Sequence, residues 1–166
     1  MQHKTKNGFT LLELMVVLAI IATATIFAIP NFKEWQVRDS LENSINTIYS
    51  NLTEARLSAF SLNTTTRVNI SKSGNNYTIS TFKFATPTNT CNPAMAGWSS
   101  LKTTQIRLNE NFNISGSGIG DICFYRDSSS NGGALNFTEV NSPAIYNMSA
   151  NIDVIIATGF VDLIKN

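Results

Sequence analysis

Apolar and polar positions divide this chain into stretches of different period. Residues 1–8 (MQHKTKNG) are polar and carry Lys4 and Lys6 with no acid. From residue 9 to 29 the chain reads FTLLELMVVLAIIATATIFAI, apolar apart from three threonines and Glu13. As a helix this run would reach about 31 Å, close to the thickness of a bilayer core. Lys4 and Lys6 precede it, while Lys33, Glu34, Arg38 and Asp39 cancel after it. That asymmetry orients a membrane helix with its N-terminus in the cytoplasm and the body outside. Pro30 removes one intrahelical bond and predicts a kink where the helix emerges.

Beyond the run, Leu41, Ile45, Ile48, Leu52, Ala55, Ala59 and Leu62 recur at alternating spacings of four and three. This is a one-sided apolar stripe on a helix. Either a coiled-coil partner or a sheet of the same chain would cover it, and the residues that follow favour the sheet. Asn63 and Thr64-Thr65-Thr66 end the helical signal. Residues 67–70 and 77–82 alternate around a turn cluster containing Gly74, which predicts a β-hairpin. Residues 85–100, with Pro87, Pro93 and Gly97, read as a loop. Further strands are predicted at 106–114, 121–125, 134–138, 152–156 and 160–164. The fold class is therefore α+β, a long N-terminal membrane-spanning helix packed on an antiparallel β-sheet domain. Its segments are residues 1–8 as a polar N-terminal stretch, 9–30 as the membrane-spanning helix, 31–63 as the part of the helix beyond the membrane, and 64–166 as the β domain.

Composition narrows the chemistry. The chain of 166 residues suits one core, and its net charge of +1 exerts no general pull on nucleic acid or acidic lipid. Charged residues are 14%, against about 25% in an ordinary soluble domain, so the surface relies on Asn, Ser and Thr. His3 is the one histidine, which removes His-based triads and His metal cages from the body. Two cysteines cannot build a four-thiolate zinc site, and no phosphate-loop motif is present. We expect no catalytic residue, no cofactor and no metal site, hence no enzyme. The GSGIG stretch at 116–120 lacks dinucleotide-loop spacing and reads as a flexible strand connection, and Asp127 before three serines reads as a solvated turn.

Glu13 is the informative anomaly. The N-terminus has the layout of a secretory signal peptide, including an A-x-A site at Ala22-Thr23-Ala24. A carboxylate inside the apolar region contradicts that reading, because an acid at the centre of a membrane helix costs about 2.5–3.5 kcal/mol and calls for a cationic partner. Gly8-Phe9-Thr10-Leu11-Leu12-Glu13-Leu14 instead resembles the processing motif of type IV prepilins and type II secretion pseudopilins, with Pro30 at the usual distance. The resemblance implies a prepilin peptidase that cuts between Gly8 and Phe9 and methylates the new Phe9 amine. It also implies that Glu13, at i+4 on the same helix side, pairs with the amine of a neighbouring subunit in the filament.

Weaker similarities run through the body. Residues 52–59 (LTEARLSA), 122–127 (ICFYRD), 132–137 (GGALNF) and 157–159 (ATG) resemble the minor pilins and pseudopilins called GspH/FimT. The resemblance implies a low-abundance subunit that helps to initiate a filament, with other pilin or pseudopilin subunits as partners. Before assembly it would sit in inner-membrane lipid, single-pass with its C-terminal domain in the periplasm. A type IV pilus minor pilin is the first reading, and a GspH-like pseudopilin of a type II secretion system is the alternative. A FimT-like DNA-uptake pilin is the second alternative. Some FimT-like members bind DNA through arginines around the final glycine, whereas here Gly159 is followed by Phe160, Val161 and Asp162. That departure counts against DNA binding, and loss of Lys4 and Lys6 with the leader tips the charge to the acidic side.

Cys91 and Cys123 lie in the part expected outside the cytoplasm, where thiols oxidise. We expect a disulfide between them that ties the Pro-rich loop to a strand, with two unpaired buried thiols as the alternative.

Overall fold

The computed structural model describes residues 9–141 and 144–165, without the side chains of residues 26–31. One helix, α1 (Leu11–Ser61), precedes eight strands: β1 (Thr66–Ser73), β2 (Asn76–Phe84), β3 (Trp98–Arg107), β4 (Phe112–Ser115), β5 (Gly120–Phe124), β6 (Gly133–Glu139), β7 (Ala150–Val154) and β8 (Val161–Lys165). The chain divides into two compact units, Met1–Val37 and Arg38–Asn166.

In the first unit the threonines of the apolar run satisfy themselves. The Thr23 and Thr25 hydroxyls donate to the carbonyls of Ile20 and Ala22 at 2.9 and 2.8 Å. Such back-bonding lets a hydroxyl sit in an apolar helix without a partner from outside. Helix continues through Pro30, whose side chain, like the rest of residues 26–31, lies outside the described residues.

The second unit is built on the stripe. Leu41, Ile45, Ile48, Leu52, Ala55 and Ala59 are all buried, as the spacing predicts. Leu62 departs from it and is 46% exposed. The helix has ended at Ser61, and Asn63, at φ 49°, turns the chain through the left-handed region before β1. The small side chains near the end of the stripe let β1 approach closely, so that the Thr66 hydroxyl donates to the Ala55 carbonyl at 2.7 Å.

Sequence patterning leads us to expect one antiparallel sheet, and the structure has two, ordered β3-β2-β1-β5 and β4-β6-β7-β8. Every pairing within them is antiparallel. The predicted strand at 106–114 is the place where they part. β3 ends at Arg107, a turn closes with the Phe112 N–H on the Asn109 carbonyl, and β4 starts in the other sheet. Buried Tyr77 then joins the sheets. Its hydroxyl donates to the Asn113 side chain at 3.1 Å and accepts from the Ile114 N–H at 3.2 Å.

The predicted loop over 85–100 is also shorter than expected, because β3 begins at Trp98. β3 is an edge strand whose burial pattern is almost wholly exposed, so it carries no apolar alternation for a pattern reading to find. The 116–120 connection is hydrogen-bonded to the sheet. The Gly118 N–H donates to the Ala134 carbonyl and the Ser117 hydroxyl accepts from the Ala134 N–H, which clamps this segment onto β6.

Candidate processing and assembly site

The first turn of α1 places the candidate residues. Phe9 and Thr10 are outside the helix, which starts at Leu11, and Phe9 is 81% exposed. The Thr10 hydroxyl accepts the Glu13 N–H at 3.2 Å. Thr10 is therefore the N-cap and Glu13 the third helical residue, the positions of a capping box. The sequence pattern T-x-x-E was the available signal for this cap, overshadowed by the carboxylate itself. Glu13 is exposed, and among the described residues its carboxylate has no partner. An acid in the first turn also meets the positive end of the helix dipole. Gly8 lies outside the described residues. Among the described residues no helix is long and apolar enough to cross a membrane. Residues 11–25 alone fall short of the about 20 apolar residues that a span needs.

Cys91 and Cys123 form a disulfide, with Cα atoms 6.0 Å apart and 32 positions of separation. Cys123 is buried on β5, so the bond fastens the loop over 85–97 to the first sheet. The same loop is held by the Trp98 indole N–H on the Asn92 carbonyl at 2.9 Å, and by the Thr64 and Thr65 hydroxyls on the carbonyls of Thr86 and Thr88. Beneath it the Arg67 guanidinium lies between the rings of Phe82 and Trp98, 4.6 and 4.8 Å from their centroids, with Asp121 3.7 Å away.

Other polar groups of the second unit are engaged in turns. Partial burial opposes ionisation of Glu139, but the N–H groups of Ile145, Tyr146 and Asn147 and the Asn141 amide outweigh it and hold the carboxyl below its ordinary range. Asp127 is likewise lowered, first by the Ser129 hydroxyl and then by the Ser129 N–H. An open groove contains Asp121 and Asp153, whose carboxylates take the amides of Asn69 and Asn151. Among the described residues no three His, Cys, Asp or Glu side chains gather as a metal site. Lys102 pairs with Glu54 at 2.6 Å, and Arg107, five positions further along β3, projects to the opposite face.

Residues 3–29 match the prokaryotic N-terminal methylation motif. No curated sequence relative matches the chain. The fold is similar to that of the minor pseudopilin EpsH from the Type 2 Secretion System of Vibrio cholerae. There the TM-score is 0.53 at 13% identity, over 74% of this chain and 94% of that one. It is also similar to the type IV minor pilin FimU of Pseudomonas aeruginosa, with TM-scores of 0.55 and 0.51 in two crystal forms. Those matches have 11% and 10% identity, over 76% and 74% of this chain and 90% and 91% of FimU. The chain thus joins a prokaryotic N-terminal methylation motif to a body whose fold is similar to that of these minor pilin and pseudopilin structures. Of these structures one is a minor pseudopilin and the other a minor pilin, the two groups that the GspH/FimT resemblance spans.

Proposed function

We propose that this chain is a minor pilin of a type IV pilus, cut between Gly8 and Phe9 by a prepilin peptidase, methylated at Phe9 and taken into the filament near its start. The observation that carries the reading is the methylation motif over residues 3–29, on a chain whose body has the minor pilin fold. Before assembly the run over 9–29 holds the chain in the inner membrane, with the β domain on the periplasmic side. Pro30 kinks the helix there, and Glu13 meets the amine of a neighbouring Phe9. The likeness to EpsH supports a second reading, a minor pseudopilin of a type II secretion system.

Two measurements test this. Mass spectrometry of the mature chain should find a methylated Phe9 at its N-terminus, and a start at Thr25 would restore the signal peptide. Deleting the gene should reduce surface pili while leaving exoprotein secretion intact. The reverse pair would establish the pseudopilin reading.

A further inference from the structure

Phe32 and Trp35 form an aromatic pair on α1, with ring centroids 5.7 Å apart, and they are 60% and 59% exposed. They lie one helical turn apart, so both rings point to the same side. Among the described residues of the first unit nothing covers them, although they are the two largest side chains between the apolar run and the stripe. Their distance along the helix indicates what does. Measured from Leu11 at about 1.5 Å per residue, Phe32 lies about 31 Å and Trp35 about 36 Å away. A bilayer has a hydrocarbon core of about 30 Å and a total thickness of about 40–45 Å, so each polar interface is only several ångströms deep. Both rings therefore fall within the far interface when the run over 9–29 fills the core. Lys33 and Glu34 sit between them, charges that belong at headgroup level and not in hydrocarbon. Aromatic side chains concentrate at this depth, because the ring favours the acyl boundary and the indole N–H needs a polar acceptor.

We infer that Phe32 and Trp35 are an interfacial anchor seated in the outer headgroup layer of the phospholipid bilayer, fixing the depth of the helix before assembly. The inference rests on the membrane-anchored reading above. The pair stops the helix from sliding inward, so that the Phe9 end stays at the opposite face where the peptidase works. Leaving the membrane for a filament exchanges this headgroup contact for a protein one.

The test uses the full chain in vesicles of phosphatidylethanolamine and phosphatidylglycerol. One set of vesicles carries bromines near the ester end of the acyl chains, and the other near the methyl end. The chain has two tryptophans, so the difference between wild type and Trp35→Phe isolates Trp35 without disturbing Trp98 in the β domain. Trp35 emission should be blue-shifted and quenched about twofold more by ester-end bromines than by methyl-end ones. Water-like, unquenched emission from protein that floats with the vesicles would overturn the anchor and leave the membrane reading intact, pointing to a protein partner for the pair. Stronger quenching by methyl-end bromines would also overturn it, by placing the ring in the core. Failure to float with the vesicles would remove the membrane reading and the anchor with it.

Discussion

The Thr10 hydroxyl accepts the Glu13 N–H at 3.2 Å, so the second residue after the expected cut closes the helix end on which the expected assembly carboxylate sits. The two features separate what Glu13 does as a helix residue from what it does as a charge. Glutamine serves the third helical position of a capping box as well as glutamate does. Glu13→Gln should therefore leave the helix start and processing unchanged, while incorporation falls because the charge is gone. Gel mobility of the precursor and recovery in sheared filaments read the two outcomes. Full incorporation would remove the amine–carboxylate pairing from the account.

Thr10→Val keeps the shape of the side chain but loses the acceptor, and caps of this type are worth about 0.5–2 kcal/mol. Hydrogen exchange at the Glu13 amide in micelles should accelerate in this variant, and Thr10→Ser should restore protection. Equal exchange rates in all three chains would show that the cap is not formed in solution.

The bond between Cys91 and Cys123 closes a long loop, and the chain-entropy relation assigns it about 3–4 kcal/mol. Cys91→Ser should lower the denaturation midpoint of the full chain without altering cleavage. Less of the loss should come from the loop itself, which keeps its threonine and Trp98 hydrogen bonds. Alkylation of the denatured, unreduced wild type that finds two free thiols would contradict the bond.

Glycines at two turns should respond very differently to alanine. At Gly116, φ is 116° and an added Cβ would lie 2.2 Å from the Ala134 carbonyl oxygen. Neither backbone can yield without breaking the clamp on β6, so Gly116→Ala should cost about 2–3 kcal/mol. At Gly74, φ is 61° but nothing lies within 4 Å of the added atom, and the cost should be about 1–2 kcal/mol, from the left-handed backbone alone. Urea titrations of both variants check the order.

Glu139 supplies a pH response. Its carboxyl is held below the ordinary value of 4.5, so the unfolded state binds the proton more readily. The resulting stability is present above that ordinary value and is lost as pH falls through the lower, folded value. Amide shifts of Ile145, Tyr146 and Asn147 should titrate together in that acid range, because all three N–H groups point at one carboxylate. In Glu139→Gln the shared titration should vanish.

Local chemistry determined more of this protein than its small charge count suggests. The Gly8–Phe9 junction, Glu13 and the apolar run are contiguous, so their meaning needs no partner from elsewhere in the chain, and the motif over 3–29 is readable from them. The stripe from Leu41 to Ala59 was equally legible, because burying one helix face imposes a period that the sequence must carry. Thr10 was written in the same local code.

Tertiary structure decided what depends on non-local pairing. β3 is an edge strand held by backbone bonds to β2, which any side chain permits, so its exposed polar residues left no trace. The division into two sheets turns on a break after Arg107 and on the Tyr77 hydroxyl reaching Asn113 and Ile114, contacts far apart in the chain. The compartment expected from the N-terminus already favoured a bond between the two cysteines, and the fold makes it by bringing a loop back over β5. Periodicity reports which face an element buries. Which strands it then pairs with is settled by long-range packing, and a one-dimensional pattern does not encode that.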